Sequence, residues 1–229
     1  MSTLRLSRPA GALVALLVAG VLAACSGDDS SASSGTPLVG RFGIEAGACA
    51  GAASTGSTFR MVQPNGDAQT GPFVTNPDSP CADKSVTPLQ PGSEGGLVTG
   101  EYQPSVDPAF GPDGTSTATK VISATPFFAV GFGVATDEAD PQSKKSVDAP
   151  SIFDEDGKLT GDLSALAVSW NGQFFNQGAP KPGATGGDLR GTYDASTKAY
   201  TLDWTSLIEG GPFDGFTGIW HLEGTFTSA

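Results

Sequence analysis

The chain has 229 residues and is acidic, with 24 Asp and Glu residues against 12 Lys and Arg and a formal net charge of −12 at pH 7. Such a surface repels phosphate groups and anionic lipid headgroups, which argues against nucleic acid as a partner. The 32 Gly and 17 Pro interrupt the sequence throughout, and no apolar pattern at helical spacing is long enough to predict a helix of ordinary length.

The first 24 residues have the layout of a signal peptide. Arg5 and Arg8 precede an apolar run over 11–22, and small residues follow at positions 23 and 24. The run is shorter than the roughly 20 residues that a transmembrane helix needs. We therefore expect export followed by cleavage.

The sequence Leu22-Ala23-Ala24-Cys25 resembles the lipobox of bacterial lipoproteins. The resemblance implies that Cys25 is lipidated, becomes the N-terminus after cleavage and anchors the protein in the bilayer of the cell membrane, at its extracytoplasmic face. Two acyl chains supply the multiple signals that stable anchoring requires. The alternative is ordinary cleavage beside an incidental cysteine.

Residues 25–36 are predicted to form a lipidated, flexible tether. After Cys25 this stretch contains nothing apolar larger than alanine, so burial cannot offset the entropy of ordering it. The remaining residues, 37–229, suffice for a single domain with a sizeable core.

Two further cysteines, Cys49 and Cys81, lie in this domain. An exported protein works where thiols oxidise, so we predict a disulfide between them. The alternatives are a reactive thiol or a metal site, but neither cysteine has a second Cys or a His at ligand spacing. We expect no cofactor.

Ten runs have the composition of strands, and they are separated by turn signals such as Asn65-Gly66, Asp113-Gly114, Asp156-Gly157 and Asn171-Gly172. The runs are 38–44, 57–62, 96–102, 117–122, 126–135, 159–170, 173–176, 191–194, 199–206 and 218–227. They predict an all-β fold, a single antiparallel β-sandwich of about ten short strands, with a closed β-barrel as the alternative. The long loops over 63–95, 103–116 and 136–150 are candidate locations for function.

Alternating residues indicate which strand faces are buried. Tyr200, Leu202 and Trp204 are expected to point inward, as are Trp220, Leu222 and Phe226. In the run over 126–135 the large residues Phe128, Val130, Phe132 and Val134 alternate with Ala129, Gly131 and Gly133. The small residues permit close approach of a neighbouring segment or ligand.

The stretch over 170–178 combines aromatic and amide side chains, the types that stack on and hydrogen-bond to sugars or peptides. Its candidate ligand-binding residues are Trp170, Asn171, Phe174, Phe175 and Asn176. The alternative is that Trp170 and one Phe lie in the core while Asn171-Gly172 forms a hairpin turn. The glycine-rich segment 210–218 presents Phe213 and Phe216 but lacks the residues of a phosphate-binding loop.

His221 is the only histidine, so histidine-based catalysis would have to use it, together with Glu223, and with Asp203 if the last two strands pair antiparallel. A solvated polar stripe explains the same residues, and we predict no catalytic residue.

Asp154 and Asp156, with Asp162 nearby, offer oxygen ligands for calcium. The alternative is a solvated hairpin turn, and we predict no metal site.

The C-terminal third, including Gly191-Thr-Tyr-Asp194, Tyr200-Thr-Leu-Asp-Trp204 and the segment 211–226, resembles a pattern in uncharacterised exported bacterial β-proteins. The resemblance implies no activity and no site residues.

We expect a non-enzymatic surface domain that has a binding or structural role and contacts an extracellular partner or small ligand. The alternatives are a β-barrel carrier of a small apolar ligand and a hydrolase.

Overall fold

The computed structural model describes residues 35–51, 53–181 and 188–229, and these residues belong to one compact unit. The predicted signal peptide, Cys25 and all but the end of the predicted tether lie outside the described residues. In the described part of the chain, no helix is long and apolar enough to cross a membrane.

The fold is all-β, as predicted, and its only helical element among the described residues is a 3₁₀ turn over Gly211–Phe213. The strands are β1 Thr36–Pro37, β2 Gly40–Ile44, β3 Ala48–Ala50, β4 Ala53–Thr55, β5 Thr58–Asp67, β6 Gly71–Phe73, β7 Thr87–Pro88, β8 Gly96–Val98, β9 Thr125–Phe127, β10 Val130–Thr136, β11 Ser151–Glu155, β12 Lys158–Asp162, β13 Leu166–Trp170, β14 Gln173–Asn176, β15 Arg190–Tyr193, β16 Ala199–Leu207 and β17 Thr217–Ser228.

The strands form one large sheet, one four-stranded sheet and one small hairpin. The large sheet has the order β1-β11-β12-β15-β16-β17-β2-β8, and β5 also pairs with β17, β6 and β7. The four-stranded sheet has the order β14-β13-β10-β9, and β3 pairs with β4. All these pairings are antiparallel.

The large sheet is curled, because the N-terminal segment of the domain pairs with β11 near one end of the strand order and with β17 near the other. Thr36 and Pro37 pair with Asp154 and Phe153 of β11, whereas β2, three residues further along, pairs with the end of β17. Rings inside the curl pack closely, with Phe42 5.0 Å from Tyr200 and 4.9 Å from Phe226 between centroids. The curl thus encloses part of the core.

The four-stranded sheet packs against one region of the large sheet and completes the sandwich. Phe59 of β5 lies 5.7 Å from Phe127 and 5.5 Å from Phe132, both in the smaller sheet. Trp220 of β17 lies 6.2 Å from Phe132 and stacks almost parallel on Trp204, with 5.6 Å between ring centroids. Aromatic side chains therefore dominate the contact between the layers.

The predicted inward faces of the last two strands are confirmed. Tyr200, Leu202 and Trp204 are at most 3% exposed, and Trp220 and Leu222 are each 2% exposed. β16 and β17 pair over nine consecutive positions, so the two alternating patterns share one buried face.

The predicted strand over 126–135 is wrong, because the chain reverses in its middle. β9 and β10 form a hairpin whose turn residues, Phe128 and Ala129, have φ angles of 51° and 63°. Phe128 is consequently 39% exposed instead of facing inward with Phe132 and Val134. The expected close approach at the small residues is confirmed at Gly133, where a Cβ would collide with the backbone oxygen of Ala118.

Two other predicted strands are divided or irregular. The run over 159–170 contains β12 and β13, which belong to different sheets, since the chain crosses between layers at Leu163–Ala165. The run over 117–122 forms no strand. Its carbonyl groups bond instead to the irregular segment 92–94, for example Val121 O to Gly92 N, so no regular ladder develops.

The predicted turns at Asp156-Gly157 and Asn171-Gly172 are confirmed as two-residue hairpin turns with positive φ at both positions. Asn65-Gly66 lies instead within β5, where the pairing with β6 shifts register. The Cys49–Cys81 disulfide is confirmed, with the two Cα atoms 5.2 Å apart.

Candidate ligand-binding site

An apolar cavity of about 40 Å³ lies between the two layers. Phe59, Met61 and Trp220 line it from the large sheet, and Trp170 and Phe175 line it from the smaller sheet. The side chain of Gln177 also reaches it. Apolar cavities of this kind stay dry and accept small apolar groups.

Phe213, in the 3₁₀ turn, also lines this cavity and, unlike the other lining residues, is partly exposed. Its ring centroid lies 5.4 Å from that of Trp170, 5.5 Å from Phe128 and 5.7 Å from Phe127. Phe216 lies 5.6 Å from Phe213 in the same segment. We call these five residues, Phe127, Phe128, Trp170, Phe213 and Phe216, the aromatic rim.

Glycines flank the segment that carries Phe213. Gly210, Gly211 and Gly215 have φ angles of 82°, 66° and 79°, a region that glycine adopts without steric cost. Gly210 N donates a hydrogen bond to Asp214 Oδ1 at 2.7 Å, which closes the segment on itself. Backbone hydrogen bonds from Ile208 N to Phe216 O at 2.7 Å and from Gly215 N to Ile208 O at 2.9 Å close the short loop that carries Phe213.

The hairpin turn at Phe128-Ala129 places a further ring at the rim. Neither residue favours positive φ, and each such conformation costs roughly 1 kcal/mol or more. Ala129 N donates to Asp78 Oδ2 at 2.5 Å, which helps to hold the turn.

The structure separates the five residues predicted to bind a ligand. Trp170 and Phe175 are 8% and 6% exposed and line the cavity, and Asn176 is fully buried. Phe174 is 37% exposed on the opposite face of β14, and Asn171 lies in the exposed turn. This placement matches the alternative interpretation, in which Trp170 and one Phe lie in the core and Asn171-Gly172 forms a hairpin turn.

Behind the cavity lies a cluster of buried polar groups. Gln177 O accepts a hydrogen bond from Trp204 Nε1 at 2.8 Å, and Gln177 Oε1 accepts one from Trp220 Nε1 at 3.3 Å. Asn176 Nδ2 donates to Ser164 O at 2.8 Å. These bonds fix the segment that follows β14 across the large sheet.

Lys181 connects this cluster to the Phe213 segment. Its side chain is 5% exposed, and Nζ lies 3.2 Å from Glu209 Oε2 and bonds to Leu207 O and Asn176 O. Burial lowers the pKa of the Lys181 amine, an effect that the bond to Glu209 opposes. The lysine thus secures the chain immediately before Gly210.

Sequence analysis identified Trp170, Phe175 and Phe213 as candidate site residues, but not Phe59, Met61, Ile208 or Lys181. Phe59 and Met61 both lie in β5 and Ile208 directly follows β16, and only the pairing of β5 with β17 brings Phe59 beside Trp220. Lys181 lies between two prolines, a setting that carries no signal of burial.

His221 lies on the outer face of β17 with the two carboxylates expected beside it. Its Nδ1 is 2.7 Å from Asp203 Oδ1 and its Nε2 is 3.5 Å from Glu223 Oε2. The hydrogen bond with Asp203 is the main cause that raises the pKa of His221. Both ring nitrogens therefore face carboxylates.

The acidic residues considered as calcium ligands do not surround a common position. Asp154 Oδ1 accepts a hydrogen bond from Gly157 N at 2.7 Å within the hairpin turn. Asp162 pairs with Ser151 at the far end of the same hairpin. Across residues 35–51, 53–181 and 188–229, no three His, Cys, Asp or Glu side chains are grouped so that they could hold a metal ion.

Comparison with protein-family models, with curated proteins and with solved structures gave no match. The resemblances to lipoproteins and to exported β-proteins therefore stay predictions.

Proposed function

We propose that the chain is an exported lipoprotein, anchored through Cys25 at the extracytoplasmic face of the cell membrane, whose β-domain binds a partner without catalysing a reaction. The partner presents a small apolar group, aromatic or alkyl. This group enters beneath Phe213 and contacts the aromatic rim.

The observation that carries the proposal is the cover that Phe213 forms over an apolar cavity. The ring stands on a glycine-flanked loop, and it touches other rings rather than being enclosed by strands. An incoming apolar group can take the place of the ring and gain the same contacts, because burial of apolar surface is the driving force in both cases.

The cavity is small, which favours binding of one group that protrudes from a partner over enclosure of a whole ligand. Its volume is about 40 Å³, whereas pockets for drug-sized ligands have volumes of roughly 300–1,000 Å³. One ring or short alkyl chain fits once Phe213 has moved. A larger molecule would remain mostly outside, as in a surface-binding protein.

The surroundings of His221 support a non-enzymatic role. A histidine that activates a serine directs one ring nitrogen at the hydroxyl group and the other at a carboxylate. In this protein both nitrogens face carboxylates. The group fits a paired surface histidine better than a catalytic base.

Met61 allows a direct test, because it lines the cavity and is the only methionine after Met1. We would export the chain from residue 26 onward, label its methionine methyl group with ¹³C and add toluene or indole. The Met61 signal is expected to shift on saturation with either probe, and Phe213→Ala is expected to strengthen binding because it opens the cavity.

Phe174→Ala is the matched control, since Phe174 is absent from the lining of the cavity and should leave probe binding unchanged. A wild-type Met61 signal that stays fixed at saturating probe, while Phe213→Ala binds, would contradict the proposal. In that case Phe213 belongs to the permanent core and does not act as a displaceable cover.

A further inference from the structure

Strand β14 forms one edge of the four-stranded sheet. It pairs with β13 through a two-residue turn, so Trp170 and Gln173 form the hydrogen-bonded pair that closes the hairpin. Alternation along the strand then directs the backbone N–H and C=O groups of Phe174 and Asn176 away from β13. Asn176 O already accepts hydrogen bonds from Gln177 Nε2 and Lys181 Nζ. A further strand would therefore use the N–H and C=O of Phe174 and the N–H of Asn176.

The side-chain amide of Gln142 occupies that position. Gln142 Nε2 donates to Phe174 O at 2.7 Å, and Gln142 Oε1 accepts from Asn176 N at 2.5 Å. A residue of a parallel strand makes this same pair of bonds to the two residues that flank its neighbour. The amide of Gln142 thus stands in for the N–H and C=O of one residue of an added strand.

The backbone that carries Gln142 is held independently of β14. Lys144 N donates to Asp140 O at 2.9 Å, Asp140 N donates to Lys145 O at 2.8 Å, and Ser143 N donates to Asp140 Oδ1 at 2.5 Å. The Gln142 side chain is half-exposed. It can therefore rotate away from β14 while its turn stays in place.

The groove beside this edge has room for a backbone. Gly172, Gly210 and Gly211 form part of its wall, and glycine permits close approach of another chain. Glu209, 51% exposed, also lines the groove but is paired with Lys181, and Lys144 lies on the same wall. The net charge of −12 favours a cationic segment.

We propose that an extended, cationic peptide displaces the Gln142 amide and adds to β14 as a fifth strand. Backbone hydrogen bonds provide the affinity, as in other cases of strand addition. The exposed ring of Phe174, which packs 5.1 Å from Phe110, receives an apolar side chain of the peptide.

This inference is independent of the proposed function. The edge of β14 binds peptide backbone, whereas the cavity beneath Phe213 binds an apolar group. Toluene binding at Met61 can therefore fail while peptide binding succeeds, and the reverse also holds.

The test uses the ¹⁵N-labelled chain from residue 26 onward and the probe acetyl-Lys-Thr-Val-Thr-Val-Lys-amide. Signals of Phe174, Asn176 and the Gln142 side-chain amide are expected to shift on titration. The same peptide carrying N-methyl groups on both valines cannot donate along one edge and should bind at least tenfold more weakly. Replacing its lysines by glutamates should also weaken binding.

Gln142→Ala removes the competing amide and is expected to strengthen peptide binding about tenfold, since two hydrogen bonds no longer have to be broken. Gln69→Ala, on an exposed turn, is the matched control and should change nothing. The proposal is overturned if the N-methylated peptide binds the wild type equally well, if shifts occur away from β14, or if Gln142→Ala forms dimers through β14 instead of binding the peptide.

Discussion

Asp203 and His221 lie directly opposite each other on β16 and β17, and Asp203 Oδ1 is 2.7 Å from His221 Nδ1. The hydrogen bond raises the pKa of the imidazole, and Glu223 on the other side adds to this effect. A protonated His221 therefore links neighbouring strands on the outer face of the large sheet.

We expect this link to make stability depend on pH. Because the pKa of His221 is higher in the folded than in the unfolded chain, its contribution is complete below the unfolded value of about 6.5 and is lost as pH rises through the folded pKa. The partly exposed position limits the contribution to about 0.5 kcal/mol. Urea denaturation at pH 5.5 and 8.5 should show the difference, and His221→Gln should remove it.

The single histidine gives one imidazole signal, so a proton NMR titration reads its pKa without assignment. A midpoint at or below the ordinary value would contradict the pairing with Asp203.

Two adjacent phenylalanines of β14 offer a matched pair for stability. Phe175 is 6% exposed and lines the cavity, whereas Phe174 is 37% exposed. Phe175→Ala is expected to lower the free energy of unfolding by about 3 to 5 kcal/mol, and Phe174→Ala by less than about 1 kcal/mol. Urea denaturation measures both, and equal losses would refute the assignment of faces.

The disulfide should make a large contribution to stability. It closes a loop with a sequence separation of 32 residues, which corresponds to about 3 to 4 kcal/mol in the chain-entropy description. Replacing Cys49 and Cys81 together by Ser should lower the free energy of unfolding by this amount. Wild-type protein in dithiothreitol is the control and should match the double variant, whereas unchanged stability in both would contradict the prediction.

Ala129→Gly is expected to stabilise the domain. Ala129 has a φ of 63° in the β9–β10 turn, a conformation that glycine adopts without steric cost, so the gain should be about 0.5 to 1 kcal/mol. Ala135→Gly is the control, because Ala135 is 1% exposed in β10 and should lose stability. A loss at both positions in thermal denaturation would argue against the strained turn.

Membrane anchoring is tested at Cys25. The mature protein should carry a diacylglyceryl group at this residue, detectable as added mass on the N-terminal peptide and as partition into detergent. Cys25→Ala should abolish both. A water-soluble wild-type protein cleaved at another position would contradict the lipobox interpretation.

The alternating faces of β16 and β17 could be predicted because period-two patterns depend only on side-chain polarity. The reversal at Phe128-Ala129 could not, since neither residue type signals a tight turn and tertiary contacts with Asp78 and Phe213 impose it. The crossing between layers at 163–165 was missed for a related reason. Apolar residues continue through it, because both sheets bury them.

The candidate site also combines features that the sequence predicts with features that it does not. Aromatic residues at 170, 175, 213 and 216 were identified by composition, and the Asn171-Gly172 turn by its residue types. The cavity itself depends on which strands face each other across the two layers. That pairing joins residues distant in sequence, such as Phe59 and Trp170, and leaves no local signal in either segment.

The pairing of β2 with the end of β17 also constrains the order in which the domain folds. Gly40 and Ser228 are register partners, yet they lie at opposite ends of the domain sequence, so their contact carries a large loop-closure cost. A chain that emerges with its N-terminus first exposes β2 long before its partner strand is available. We therefore expect the curled sheet to complete only after the final residues have emerged, and removal of the last twelve residues to prevent folding rather than merely weaken it.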